Sequence, residues 1–136
     1  MITISAKIAM AVPTPNTREQ HYQRSRRVKR QRALVRRELD LFNGGPSLLP
    51  AVVTLVRVST RLADTDRAAL ALAAVRDEVA RWLCGVPFEV VDPSTGKTST
   101  PRAPDGPSDP IEWMYGQEQV KTKGYQGVLI HIRVET

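Results

Sequence analysis

Residues Ala51–Asp66 read AVVTLVRVSTRLADTD. The first half, Ala51–Val58, is rich in β-branched side chains and follows Pro50, which predicts a β-strand. Ser59–Asp66 is short and polar. Arg67–Leu83 then carries Leu72, Val75, Val79 and Trp82 at offsets 0, 3, 7 and 10, the spacing of one helix face. Arg76, Asp77 and Arg81 occupy the polar side, and Gly85 and Pro87 end the helix. A strand that passes through a polar turn into a helix predicts an α/β arrangement, with Asp64 and Asp66 at the turn.

Working outward, Thr3–Met10 alternates loosely and reads as an edge strand closed by Pro13-Thr14-Pro15-Asn16. Asp92–Pro110 (DPSTGKTSTPRAPDGPSDP) is so dense in proline, glycine and small polar residues that no regular element is expected there. Ile111–Val120 and Gly127–Glu135 flank Lys121–Gln126 as a predicted hairpin. In its second arm Val128, Ile130, Ile132 and Val134 alternate with Leu129, His131 and Arg133. The order β-α-β-α-loop-β-β predicts an α/β (α+β) fold, a small mixed sheet packed with two helices. One domain is expected over residues 1–136, with a long loop at about 92–110, and no repeat is present.

A length of 136 residues with 41% hydrophobic and 25% charged residues suits a single folded domain. No run approaches about 18 apolar residues, so no membrane span is expected. Met1–Val12 lacks a basic lead-in and makes a poor signal peptide. The single cysteine, Cys84, excludes an internal disulfide and a multi-cysteine zinc site, a pattern suited to a reducing cytosol. The net charge of +6 points to an anionic partner, most commonly nucleic acid.

The excess is concentrated in Arg18–Arg37, REQHYQRSRRVKRQRALVRR, where Glu19 is the only acid. Val28, Val35, Leu39 and Phe42 fall at offsets 0, 7, 11 and 14, which predicts a helix from about Thr17 to Leu41, stopped by Asn43-Gly44-Gly45-Pro46. A solvated charged face is the plain alternative. A nearly single-sign run repels itself unless a polyanion relieves it, which favours phosphate contact. At 5% aromatic residues, a base-stacking single-strand platform is disfavoured.

For chemistry, Ser94-Thr95-Gly96-Lys97-Thr98 only superficially resembles a phosphate-binding loop. Val91 stands where that motif needs glycine, and Ser99-Thr100-Pro101 blocks the helix that should follow. His21 and His131 stand alone, and Cys84 has no obvious base. Asp64 and Asp66, at i and i+2, would converge in extended backbone. Two carboxylates about 4 Å apart repel by roughly 4 kcal/mol at an effective dielectric near 20. A hard divalent cation such as Mg²⁺ or Mn²⁺ removes that penalty. On spacing alone, a helix N-cap is the simpler reading. A third acid folding back, Asp105 or Asp109, would favour the metal.

Together these segments resemble the RusA-type Holliday-junction resolvases over most of the chain. Pro15-Asn16-Thr17-Arg18 with His21-Tyr22, Arg24, Lys29 and Arg32 is similar to the family's opening. Val53–Val58 followed by Arg61-Leu62-Ala63-Asp64-Thr65-Asp66 is similar to its strand and Asp-x-Asp pair. Val75-Arg76-Asp77 through Trp82-Leu83 resembles its helix. Ser108-Asp109-Pro110-Ile111-Glu112-Trp113-Met114-Tyr115-Gly116-Gln117 resembles its Trp-x-Tyr-x-Gln strand, and Gly127–Ile132 its closing strand. The resemblance implies a homodimeric, Mg²⁺-dependent (or Mn²⁺-dependent) endonuclease that hydrolyses branched DNA, in the cytoplasm of a bacterial or phage-infected cell. Asp64, Asp66 and Asp109 would be its metal-binding catalytic acids. Arg18, Arg24, Arg26, Arg27, Lys29, Arg30, Arg32 and Arg67 are the expected DNA contacts. Two positions depart from the family: Arg67 replaces its usual asparagine, and Ala73 its usual lysine. Binding of branched DNA without cleavage, or a basic adaptor whose acids merely cap a helix, are the alternative readings.

Overall fold

The computed structural model describes residues 2–14, 20–43, 45–99 and 110–134. Its elements are β1 (Ile2–Ala9), α1 (His21–Leu39), β2 (Ala51–Ser59), α2 (Thr65–Ala71), α3 (Ala73–Leu83), β3 (Val90–Val91), β4 (Thr98–Ser99), β5 (Ile111–Gln119) and β6 (Gly127–Val134). The fold is mixed α+β. Four strands form one sheet in the order β1-β6-β2-β5, and β3 pairs with β4 in a separate ribbon. β6 is antiparallel to both β1 and β2, whereas β2 and β5 are parallel. A parallel pair needs a long crossover, which α2 and α3 supply.

Alternation along the strands sorts the sheet into two faces. Ile4, Ala6 and Ile8, Val53 and Leu55, and Val128, Ile130 and Ile132 are buried on one face. There they join Val35 and Leu39 of α1 and Leu72, Val75, Val79 and Leu83 of the α2–α3 segment in a single core. The stripe read from the basic block is thus the one that packs, with Val28 and Phe42 half-buried at its ends. The opposite sheet face carries rows set by the register, such as Ser5, His131, Thr54 and Met114. No described helix covers that face, and Met114 is 51% exposed.

The predicted hairpin is not formed. β5 and β6 lie on opposite sides of β2, and residues 120–126 arch over the end of β2, where the Val120 N–H donates to the Ser59 carbonyl. Composition accounts for the arrangement. β6 is apolar on nearly every residue and suits an interior position, whereas β5 exposes Glu112, Met114, Glu118 and Gln119 and suits an edge. At Gly127, β1 and β6 approach so closely that an added Cβ would collide with the Ile8 carbonyl.

The predicted single helix over 67–83 begins earlier, at Thr65, and breaks at Leu72 (φ −93°, ψ 4°) into α2 and α3. α3 ends in paired bonds from Val86 N–H to Arg81 O and from Gly85 N–H to Trp82 O, with Gly85 at φ +74°. That left-handed cap explains the glycine. The segment from Asp92 is not wholly irregular. The Asp92 carboxylate accepts from the Ser94 N–H and hydroxyl, which lowers its pKa, and this turn closes the β3–β4 ribbon. Among the described residues, no helix is long and apolar enough to cross a membrane.

Candidate functional site

The basic helix is sorted by one buried acid. Glu78 on α3 is fully buried and accepts from Arg32 Nε (3.0 Å), Arg36 Nη1 (3.0 Å) and Arg81 Nη1 (3.0 Å). Arg36 also donates to the Val86 carbonyl, Arg81 to the Phe88 carbonyl, and the Arg32 guanidinium lies over the Phe88 ring. Burial lowers the Arg81 pKa, and Glu78 pulls it back up. Gln31, also buried, donates to the Ala11 carbonyl at 2.8 Å. Arg32 therefore departs from its expected role on DNA: its Nη2 is buried without a partner, and its charge is spent on fixing α1 to α3. Arg24, Arg26, Lys29 and Arg30 remain exposed along α1, and Arg27 is half-buried. Arg18 lies outside the described residues.

These outward arginines line a groove built from three adjoining hollows. One, of about 400 Å³, lies between Met10-Ala11 and Arg26, Arg27 and Arg30. A second, of about 300 Å³, separates Arg24, Arg27 and Val28 of α1 from Leu70, Ala71, Ala73 and Ala74. It shares Arg27 and Gln31 with the first. The third, of about 610 Å³, shares Pro13 and Thr14 with the second and is walled by Arg57, residues 59–63, Asp64 and Arg67. Hollows that share wall residues thus lie between the basic helix and the turn at Asp64.

That turn is held rigidly from below. Gln117 of β5 accepts from the Ala63 N–H (2.9 Å) and donates to the Ala63 carbonyl (2.6 Å). Gln119 donates to the Thr60 carbonyl, and Arg57 donates to the carbonyls of Val12 (2.8 Å) and Arg61 (3.0 Å). Asp64 follows directly, at the N-cap of α2, with 81% of its side chain exposed and its Oδ2 3.9 Å from Arg67 Nε. It makes no side-chain cap bond. Because α2 starts at Thr65, Asp66 rides the first helical turn rather than an extended strand, so the convergence expected from i and i+2 spacing does not apply. An acid there also favours the positive end of the helix.

Among the described residues, no three His, Cys, Asp or Glu side chains gather as a metal site. Asp109 and Asp105 lie outside the described residues. Asp64 and Asp66 present exposed carboxylate oxygens, a donor type suited to Mg²⁺ or Mn²⁺. His131 shares a hydrogen bond with the Ser5 hydroxyl (2.9 Å), His21 is exposed, and Cys84 is half-buried at the end of α3. Ala73 stands exposed at the start of α3. The chain matches no protein-family model, no curated protein and no solved structure.

Sequence reasoning assigned no role to Arg57 or Glu78, and Arg61 and Gln117 entered only as members of the motifs that carry the resemblance. Arg57 and Gln117 carried a signal: each falls on the core-facing parity of its strand, where a polar side chain has a backbone group to hold. Replacing Gln117 with alanine deletes two hydrogen bonds to Ala63. Urea denaturation of Gln117→Ala is expected to show a loss of about 2 kcal/mol, with faster amide exchange at Ala63; unchanged exchange there would contradict the clamp.

Proposed function

We propose that this chain is a divalent-metal-dependent endonuclease that cuts branched DNA as a homodimer, as the RusA-type resolvases it resembles do. The observation that carries the reading is the neighbourhood of the arginine-lined hollows of α1 and the hollow walled by Asp64, which share Pro13 and Thr14. A duplex arm laid along α1 would meet Arg24, Arg26, Lys29 and Arg30 through its phosphates, contacts that supply affinity and orientation rather than sequence choice. Asp64 and Asp66, with Asp109 as the further acid, would hold Mg²⁺ or Mn²⁺. A bound cation would supply a more acidic water and positive charge at the scissile phosphate. Gln117 and Arg57 fix the backbone that presents Asp64, so that carboxylate is placed before DNA arrives. Arg67, 3.9 Å from Asp64, sets a cation beside the acidic pair.

A second reading, binding without cutting, is favoured by a specific pair of observations. Ala73 offers no charge where the resembled family has lysine, and Arg67 already neutralises part of Asp64. The metal-dependent reading expects Asp66→Asn to abolish nicking of a four-way junction in Mn²⁺ while its junction Kd stays within about twofold. Equal nicking by variant and wild type would refute the metal assignment.

The resemblance implies the homodimer, and the uncovered sheet face is the surface we propose for it. Its interior strands set Val52, Val56 and Leu129 among Thr54, His131 and Arg133, with Lys7 on β1 at one edge and Glu112 and Glu118 on β5 at the other. A two-fold axis parallel to the strands would lay the β1 edge of one copy over the β5 edge of the next, with Lys7 over the Gly116 row beside Glu118 and Val56 and Leu129 between the edges. Light scattering should report a dimer for wild type and a monomer for Leu129→Glu. A wild-type monomer at micromolar concentration would exclude this interface.

A further inference from the structure

Two kinds of buried arginine occur in this molecule. Arg81 shares Glu78 with Arg32 and Arg36. Arg57 shares nothing of the kind. It is only 6% exposed, its bonds go to the neutral carbonyls of Val12 and Arg61, and among the described residues no carboxylate pairs with it. Desolvation alone acts on its pKa, downward, with no opposing charge. Burying a cation without a counter-charge is costly, and the cost falls when an anion arrives.

The place for that anion is open. Arg57 forms part of the wall of the 610 Å³ cavity, together with Ser59, Thr60, Arg61 and Arg67. Among the described residues Asp64 is the one acid in that wall, against three guanidinium groups, and it already faces Arg67. The carbonyl bonds orient Arg57 and hold the Arg61 backbone on the same wall. Those two bonds leave the Arg57 Nη2 N–H groups and the second Nη1 N–H as donors, and with the Ser59 and Thr60 hydroxyls they are of the kind that recognises phosphate oxygens.

We propose that this cavity is a phosphate-binding subsite, with Arg57 as its buried anchor and Arg61 and Arg67 as the outer cations. The inference goes beyond the nuclease reading, because phosphate binding here requires neither metal nor cleavage and stands if that reading falls. A phosphate held in this cavity would register a strand against Asp64, which lies in the same wall.

The test follows the Arg57 Nε–Hε resonance by NMR in EDTA, so that metal chemistry plays no part. Three probes are titrated: inorganic phosphate, a short oligonucleotide with a 5′-phosphate, and the same oligonucleotide without it. A saturable shift of Arg57 with any probe is expected. Movement with inorganic phosphate or only with the 5′-phosphorylated strand assigns a terminal or free phosphate, and equal movement with both strands assigns a backbone diester. Arg61→Gln, which removes an exposed side chain and leaves the backbone bonds in place, should weaken the effective probe about tenfold. Absence of a saturable shift with all three, or an unchanged Kd in Arg61→Gln, overturns the proposal.

Discussion

Glu78, fully buried with three guanidinium groups around its carboxylate, is the interaction on which the rest of the architecture depends. In a helix as basic as α1 the apolar stripe is narrow, and the surrounding charges repel one another and prefer water. One carboxylate from α3 draws in Arg32 and Arg36 at the apolar stripe of Val35 and Leu39, and so decides which side of the helix turns inward. Removing one partner from such a buried cluster costs about 3–5 kcal/mol, since the remaining charges stay buried. With α1 fixed in this way, its other arginines stand along the groove.

At the other end of the groove, the sheet does the positioning. The parallel pairing of β2 and β5 brings Gln117 beneath the turn that leaves β2, and its amide reads the Ala63 backbone as a neighbouring strand would. Arg57 holds the same turn against the chain at Val12. Here the loop is set by hydrogen bonds from three sides, and Asp64 inherits a defined place at the start of α2.

Much of this was legible in the residues. The strand read at Ala51–Val58 follows from its β-branched residues, and the edge strand read at Thr3–Met10 and the buried stripe of the basic helix from periodicity, which reports which face a side chain takes; the strands run Ala51–Ser59 and Ile2–Ala9. Periodicity does not report neighbours. That is why β5 and β6 read as a hairpin although β2 lies between them: seven connecting residues allow either path, and only the competition for the apolar interior favours β6 there. The start of α2 was misplaced because a polar run before an amphipathic stripe does not say where helical bonds begin, and that shift puts Asp66 on a helical turn. Of the acids, Asp64 sits where the sequence put it, at the strand-to-helix turn, Asp66 lies in the first turn of α2, and Asp109 is outside the described residues. Arg32 could not be told from its neighbours by charge alone, because its partner stands 46 positions away.

A basic helix, a braced acidic turn and an arginine-walled cavity are the parts on which the proposed cleavage of branched DNA rests. Incubating the wild-type protein with end-labelled four-way junction and linear duplex, in Mn²⁺ and in EDTA, tests this most directly. The account predicts strand cuts near the branch point in Mn²⁺ only, with the linear duplex left largely intact. Tight junction binding with every strand uncut in Mn²⁺ would contradict hydrolysis and leave a DNA-binding protein in its place.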